Sequence, residues 1–133
     1  MTAPAERGPW VFEFVAPDRL MNMNERLHWT TQRRRARNWR NAARRAMPWY
    51  IPEGSYLPPS IVQIELPVLG NLRRDPSNWY PTVKHIVDGL VDAHLWPDDT
   101  PQWVTTVEPV LVPYKRTDLH RPVRVLIIPR GDQ

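Results

Sequence analysis

Asp75, Asp88, Asp92, Asp98 and Asp99 gather along one stretch of the chain, with Lys84 among them. Carboxylates brought together repel unless a cation sits between them, and hard oxygen ligands of this kind suit Mg²⁺ or Mn²⁺. Beside a basic surface, such an ion would activate water and stabilise the charge that develops as a phosphodiester is cut. Taken singly, each aspartate is more often a cap, a turn residue or a solvated charge. Their order and spacing decide between these readings.

The second chemical feature is a run of arginines. Arg33, Arg37, Arg40 and Arg44 are spaced four, three and four apart, so on a helix they form one narrow stripe. Ala36, Trp39, Ala43 and Met47 form an apolar stripe beside them that is expected to pack on a sheet, and Arg34, Arg35 and Arg45 add charge around the outer face. Like charges at these spacings repel, and the segment contains no acid to offset them. A solvated basic face is the ordinary reading of a charge run. The uncompensated stripe points instead to phosphates, which the planar guanidinium grips in bidentate fashion.

The elements that would carry these groups are legible in outline. Residues 9–15 (PWVFEFV) read as an opening strand stopped by Ala16-Pro17-Asp18, followed by the polar connection LMNMNERLHW, which carries Asn22, Asn24 and Arg26. A helix is predicted over residues 31–47, ended by Pro48. Residues 61–69 alternate as a strand. After a polar loop over 71–80, Pro81 opens a second helix running to about His94, with Val83, Ile86, Val87, Leu90 and Val91 as its apolar stripe. On that helix Lys84, Asp88 and Asp92 are four apart and share the opposite face. Two closing strands are predicted over 103–112 and 123–129. The order strand, helix, strand, helix, strand, strand predicts a single small α/β (α+β) domain, a mixed sheet with two main helices packed on it.

Composition sets the bounds. A chain of 133 residues is one domain's length, and its 16 prolines favour strand ends and turns over a helical bundle. The absence of cysteine removes disulfides, thiolate nucleophiles and Cys-based zinc sites together. The four histidines show no metal-ligand spacing, and there is no Gly-rich phosphate loop and no nucleophile elbow. A formal charge of +4 and a pI of about 10.0 favour a polyanionic partner. Neither a signal-peptide pattern nor a bilayer-length apolar run is present, so a soluble, cytoplasmic chain with no membrane partner is expected.

Three blocks in sequence carry a family resemblance: RRDPSN (residues 73–78), PTVKHIVDGLVDA (81–93) and LWPDD (95–99). Together they resemble the signature of the RusA family of crossover-junction endodeoxyribonucleases, the Holliday-junction resolvases. In that family an Arg-rich lead-in precedes Asp-x-Asp-Asn, a helix with a lysine and an Asp-Gly/Ala-Leu segment follows, and an Asp-Asp pair closes the block. NERLHW and the basic helix after it resemble the family's N-terminal region more loosely.

The resemblance implies a RusA-like fold and a metal-dependent, structure-selective endonuclease. Such an enzyme resolves four-way DNA junctions by paired nicks in recombination and repair. It implies a homodimer, Mg²⁺ or Mn²⁺ as the only cofactor, and the cytoplasm of a bacterial cell or phage-infected host. Carried over by position, Asp75 and Asp99 are implied metal ligands, joined by Asp98. Lys84 is implied to contact the scissile phosphate or assist catalysis, and Asp88 matches a further acidic position. Arg26, Arg33, Arg37, Arg40, Arg44, Arg73, Arg74 and Asn78 are the candidate DNA contacts, and the exposed-looking Trp49 and Trp103 the candidates for dimer contacts. One position departs from the pattern: Ser77 stands where the family has its second aspartate. A hydroxyl can be a weak ligand or hold a metal-bound water, but it brings no negative charge. The alternative is therefore a branched-DNA-binding protein with a degenerate, inactive metal site.

Overall fold

The computed structural model describes residues 8–48, 51, 55–70 and 75–131. Arg73, Arg74 and Trp49 lie outside the described residues. Five strands form one mixed sheet: β1 (Trp10–Val15), β2 (Ser60–Leu69), β3 (Val104–Thr106), β4 (Val110–Tyr114) and β5 (Pro122–Pro129). Two helices, α1 (Trp29–Ala46) and α2 (Tyr80–Asp92), complete the α+β domain, and a 3₁₀ turn (Pro76–Trp79) leads directly into α2. No described helix is long and apolar enough to cross a membrane.

β5 lies between β1 and β2 and is antiparallel to both, while β3 and β4 run parallel to β2 along its other side. The single strand predicted over 103–112 is thus two short ones. Val62 pairs with Thr106 and Glu65 with Val110, so three steps on β2 face four on its neighbour. The extra residue is accommodated around Pro109, which has no N–H for the ladder. That bulge lifts Val107 and Glu108 out as exposed residues at the sheet's edge.

Alternation assigns the faces. Along β2, Ser60, Val62, Ile64, Leu66 and Val68 are buried and the residues between them only partly so. On β5 the buried set is Val123, Val125 and Ile127, and opposite these β1 places Phe14, Phe12 and Trp10. Both helices cover this one face, and Val83, Ile86, Val87 and Leu90 of α2 join the strand residues in a single core.

α1 begins two residues earlier than the pattern implied, because His28 caps it: Nδ1 accepts from the Thr30 N–H at 3.2 Å. Its apolar stripe packs chiefly against α2, and meets the sheet at β1, where Trp39 meets Phe14 edge to face at 6.2 Å. The helices approach closely at Gly89. A Cβ there would lie 2.2 Å from the Arg40 carbonyl oxygen and 2.8 Å from Ala43 Cβ, so no larger residue fits this crossing as built.

The connection between β1 and α1 is fastened at several points. The Thr82 hydroxyl, buried, accepts from the Met21 N–H at 2.6 Å and lies 3.0 Å from the Met21 carbonyl oxygen. Trp39 Nε1 donates to the Arg19 carbonyl at 3.0 Å, and the Met23 N–H donates to the Asn78 carbonyl at 2.8 Å. The polar NMNE segment is thereby pinned against the turn that carries Asp75, Ser77 and Asn78.

Candidate active site

α2 presents one charged row toward the turn that follows it. Lys84 Nζ donates to Asp88 Oδ1 at 3.0 Å and to Asp99 Oδ2 at 2.6 Å, joining helix and turn through one ammonium. The Asp99 hydrogen bond, then that of Asp88, raises the Lys84 pKa, and the same ammonium holds the Asp99 carboxyl below its usual range. Lys84 therefore stays charged and Asp99 ionised. Lys84 and Asp99 line a cleft of about 400 Å³, together with Tyr80, Val87 and residues of β3.

Arg130 holds the turn in place from the end of β5. Its guanidinium donates to the Pro101 and Gln102 carbonyls at 3.0 and 2.6 Å and to Thr105 Oγ1 at 2.8 Å. Asp98 serves the same turn: its Oδ1 accepts from the N–H of Thr100 at 2.9 Å and from its hydroxyl at 2.6 Å. Of the two adjacent aspartates, Asp99 is thus the one that meets Lys84.

Asp75 and Ser77 form a second, neighbouring group. Asp75 caps the 3₁₀ turn, with Oδ1 accepting from the Ser77 N–H at 3.0 Å and from the Ser77 hydroxyl at 2.8 Å. Ser77 lines a smaller cleft of about 290 Å³ with Met23, Tyr80, Thr106 and Glu108. Tyr80 and Thr106 line both clefts, so the two are contiguous and form a groove along the β3 edge. Asn78 contributes through its backbone, donating to the Asp75 carbonyl at 3.0 Å and accepting from Met23.

No family model, no curated protein and no solved structure matches this chain.

Among the described residues, no group of three or more His, Asp or Glu side chains stands close enough to hold a metal ion together. Asp75, Asp98 and Asp99 each have a separate partner in Ser77, Thr100 and Lys84. The donors still suit Mg²⁺ in kind. That ion characteristically takes one or two carboxylates, several waters and the substrate's own phosphate oxygens, not an all-protein cage. Asp75 and Asp99 each keep a carboxylate oxygen that makes no hydrogen bond with another side chain among the described residues.

The arginine stripe is divided. Arg40 gives a two-pronged ion pair to Asp92 of α2: Nε donates to Oδ2, and Nη2 donates to Oδ1 at 2.8 Å. This bond raises the Arg40 pKa and depresses that of Asp92. Asp92 therefore belongs to the helix crossing and not to the Lys84 group. Arg35, expected on the outer face, is instead turned inward with 11% of its side chain exposed, between Asp18 at 3.6 Å and Glu25 at 3.5 Å. The acids missing from the helix's own segment are supplied by the rest of the chain. Arg33, lying over the Trp29 ring at 5.6 Å, and Arg26, Arg34, Arg37, Arg44 and Arg45 are exposed, with no ion pair among the described residues. Trp103 is half-buried and packed against the core, with its ring near Tyr56, which removes it as an exposed contact residue.

Sequence reasoning missed Tyr80, Glu108 and Arg130. Tyr80 was within reach, since it continues the four-residue spacing of Lys84 and Asp88 back by one turn. Glu108, a charge immediately before a proline inside an apolar strand, marks a bulge. Arg130 carried no local signal, because its three acceptors lie about 25 to 29 residues away in sequence.

Proposed function

We propose that this protein is a structure-selective endonuclease acting on four-way DNA junctions, working as a homodimer with a divalent metal. The observation that carries the proposal is the contiguous groove in which Lys84, Asp99 and Ser77 line adjoining clefts, with Asp75 bonded to Ser77. These are the residues through which the chain resembles RusA-type resolvases, and the exposed arginines of α1 supply a charge complementary to the DNA backbone. A two-fold symmetric protein suits a two-fold symmetric junction.

Within the groove each side chain has a task. Lys84 carries the positive charge that a scissile phosphate needs, and Asp88 and Asp99 hold its ammonium in one place. Asp75 and Asp99 would hold the Mg²⁺ or Mn²⁺, which when bound lowers the pKa of a water and neutralises phosphate charge. Arg130 and Asp98 keep the turn bearing Asp99 rigid.

A second reading, a branched-DNA-binding protein without cleavage, is favoured by Ser77. Its hydroxyl is spent on Asp75, and it brings no charge where a third acid would stand. One experiment separates the two: an end-labelled four-way junction incubated with Mg²⁺, Mn²⁺ or EDTA, wild type beside Asp99→Asn. Paired nicks that need metal and vanish in the variant support the nuclease. Tight junction binding with no nick in either metal supports the binding protein.

A further inference from the structure

A cavity of about 710 Å³ lies across the 3₁₀ turn from the groove lined by Lys84, Asp99 and Ser77. Successive residues alternate between the two: Ser77 lines the groove and Trp79 the cavity, Met23 the groove and Asn22 and Asn24 the cavity. The two therefore lie on either side of the same short segments.

The cavity has a chemistry of its own. Trp79, Tyr114, Leu20 and Pro67 give it aromatic and aliphatic walls, and Asn22 and Asn24 give it amides. Asn22 Oδ1 accepts from the Asn24 N–H at 2.8 Å, and the Asn24 side-chain amide makes no hydrogen bond among the described residues. Asp18 and Glu25 also line it, both paired with the inward-turned Arg35. Carboxylates in the lining oppose a phosphate inside. Cations that can meet the backbone phosphate beside such a ring are Arg19, on the lining itself, and Arg121, whose guanidinium lies 4.6 Å from the Tyr114 ring centroid. The fitting occupant is a flat, neutral ring with hydrogen-bonding edges whose charged remainder stays outside. Aromatic walls supply stacking, and side-chain amides match the donor and acceptor pattern of base edges. The walls are also built in advance, since Thr82, Trp39 and Asn38 fasten the connection that forms one side.

We propose that this cavity receives one unstacked nucleobase of the DNA strand laid in the acidic groove, an inference that rests on the nuclease reading for the identity of the strand.

The test uses the full chain and a four-way junction carrying 5-iodo-2′-deoxyuridine at the branch-flanking positions. The complex is irradiated in EDTA, the adduct is mapped by mass spectrometry, and nicking of the same junction is followed in Mg²⁺. The expected result is an adduct on Trp79 or Tyr114, its yield reduced by about fivefold in Asn24→Ala, as the removal of one hydrogen bond implies. Adducts confined to α1 or to other surfaces overturn the cavity assignment. The two proposals fail separately. Nicking without a Trp79 or Tyr114 adduct removes the base site and leaves the nuclease, and the adduct without nicking does the reverse. Neither adduct nor nicking removes both.

Discussion

The two helices cross at Gly89 and Ala43 and carry their charges in opposite ways. On α1 seven arginines are crowded together, and only Arg35 and Arg40 are neutralised by ion pairs within the described structure. On α2 the ionised residues are all engaged: Lys84 by Asp88 and Asp99, and Asp92 by Arg40. An exposed, unpaired guanidinium costs little to hold in water and gains most when a phosphate arrives. A carboxylate–ammonium chain beside a cleft is already organised and gains by holding its geometry. Under the proposed function, this difference would give α1 the attraction of a polyanion and α2 the positioning of a reacting group.

The largest effect is expected where that division is broken on the α2 side. Asp99→Asn and Asp75→Asn should abolish nicking, while junction affinity measured by gel shift is kept or increased, because negative charge near phosphates is removed. Either variant nicking at the wild-type rate removes the metal-site assignment. Ser77→Asp sharpens the point. A large gain in nicking marks the serine as a missing ligand, whereas a loss shows that its bond to Asp75 is a working part of the site.

Next in size is the crossing itself. Gly89→Ala places a methyl within contact of the Arg40 carbonyl and Ala43, and overpacking of this kind costs about 1–3 kcal/mol. Urea unfolding should show a lowered midpoint with an unchanged slope. A midpoint equal to wild type would mean that the helices separate freely, and the Arg40–Asp92 pair would then lose its meaning as a fixed link.

Much of this was legible from residue types and spacing. β2 and the facing of α2 followed from periodicity, because each buries one face and repeats its apolar residues accordingly, while α1 followed from a run without proline or glycine that ends at Pro48. The Lys84–Asp88 bond followed from the four-residue spacing. Two kinds of feature did not. Arg35 and Arg40 belong to the same charge run as Arg33 and Arg37, and only distant acids, at positions 18, 25 and 92, separate the paired from the free. The bulge between β3 and β4 depends on register with β2, which a strand's own alternation does not reveal.

The division within α1 predicts a smaller, selective effect. Replacing Arg33, Arg37 and Arg44 by Gln should flatten the dependence of log K on log salt by about 0.9 for each phosphate that is no longer neutralised. Arg40→Gln should leave that slope nearly unchanged, since Asp92 already holds the guanidinium. Equal slope changes for Arg37→Gln and Arg40→Gln, measured singly, would erase the distinction between free and committed arginines.

The smallest effect tests the α2 chain at its centre. Lys84 depresses the Asp99 pKa through a hydrogen bond, so the pair stabilises the fold above the ordinary carboxylate range, and the contribution is lost as pH falls through the depressed value. Lys84→Met should move the Asp99 carboxyl back up toward that range, seen as a shifted midpoint in a carboxyl-carbon NMR titration. The stability gap between wild type and variant should also narrow on acidification, because protonated Asp99 no longer attracts an ammonium. Both side chains remain well exposed, at 44% and 39%, so solvent screening keeps the gap small even at neutral pH. An unshifted Asp99 midpoint in Lys84→Met would mean that the ammonium does not dwell at Asp99 in solution, and the turn would then be fastened by Arg130 from β5 and not by Lys84 from the helix.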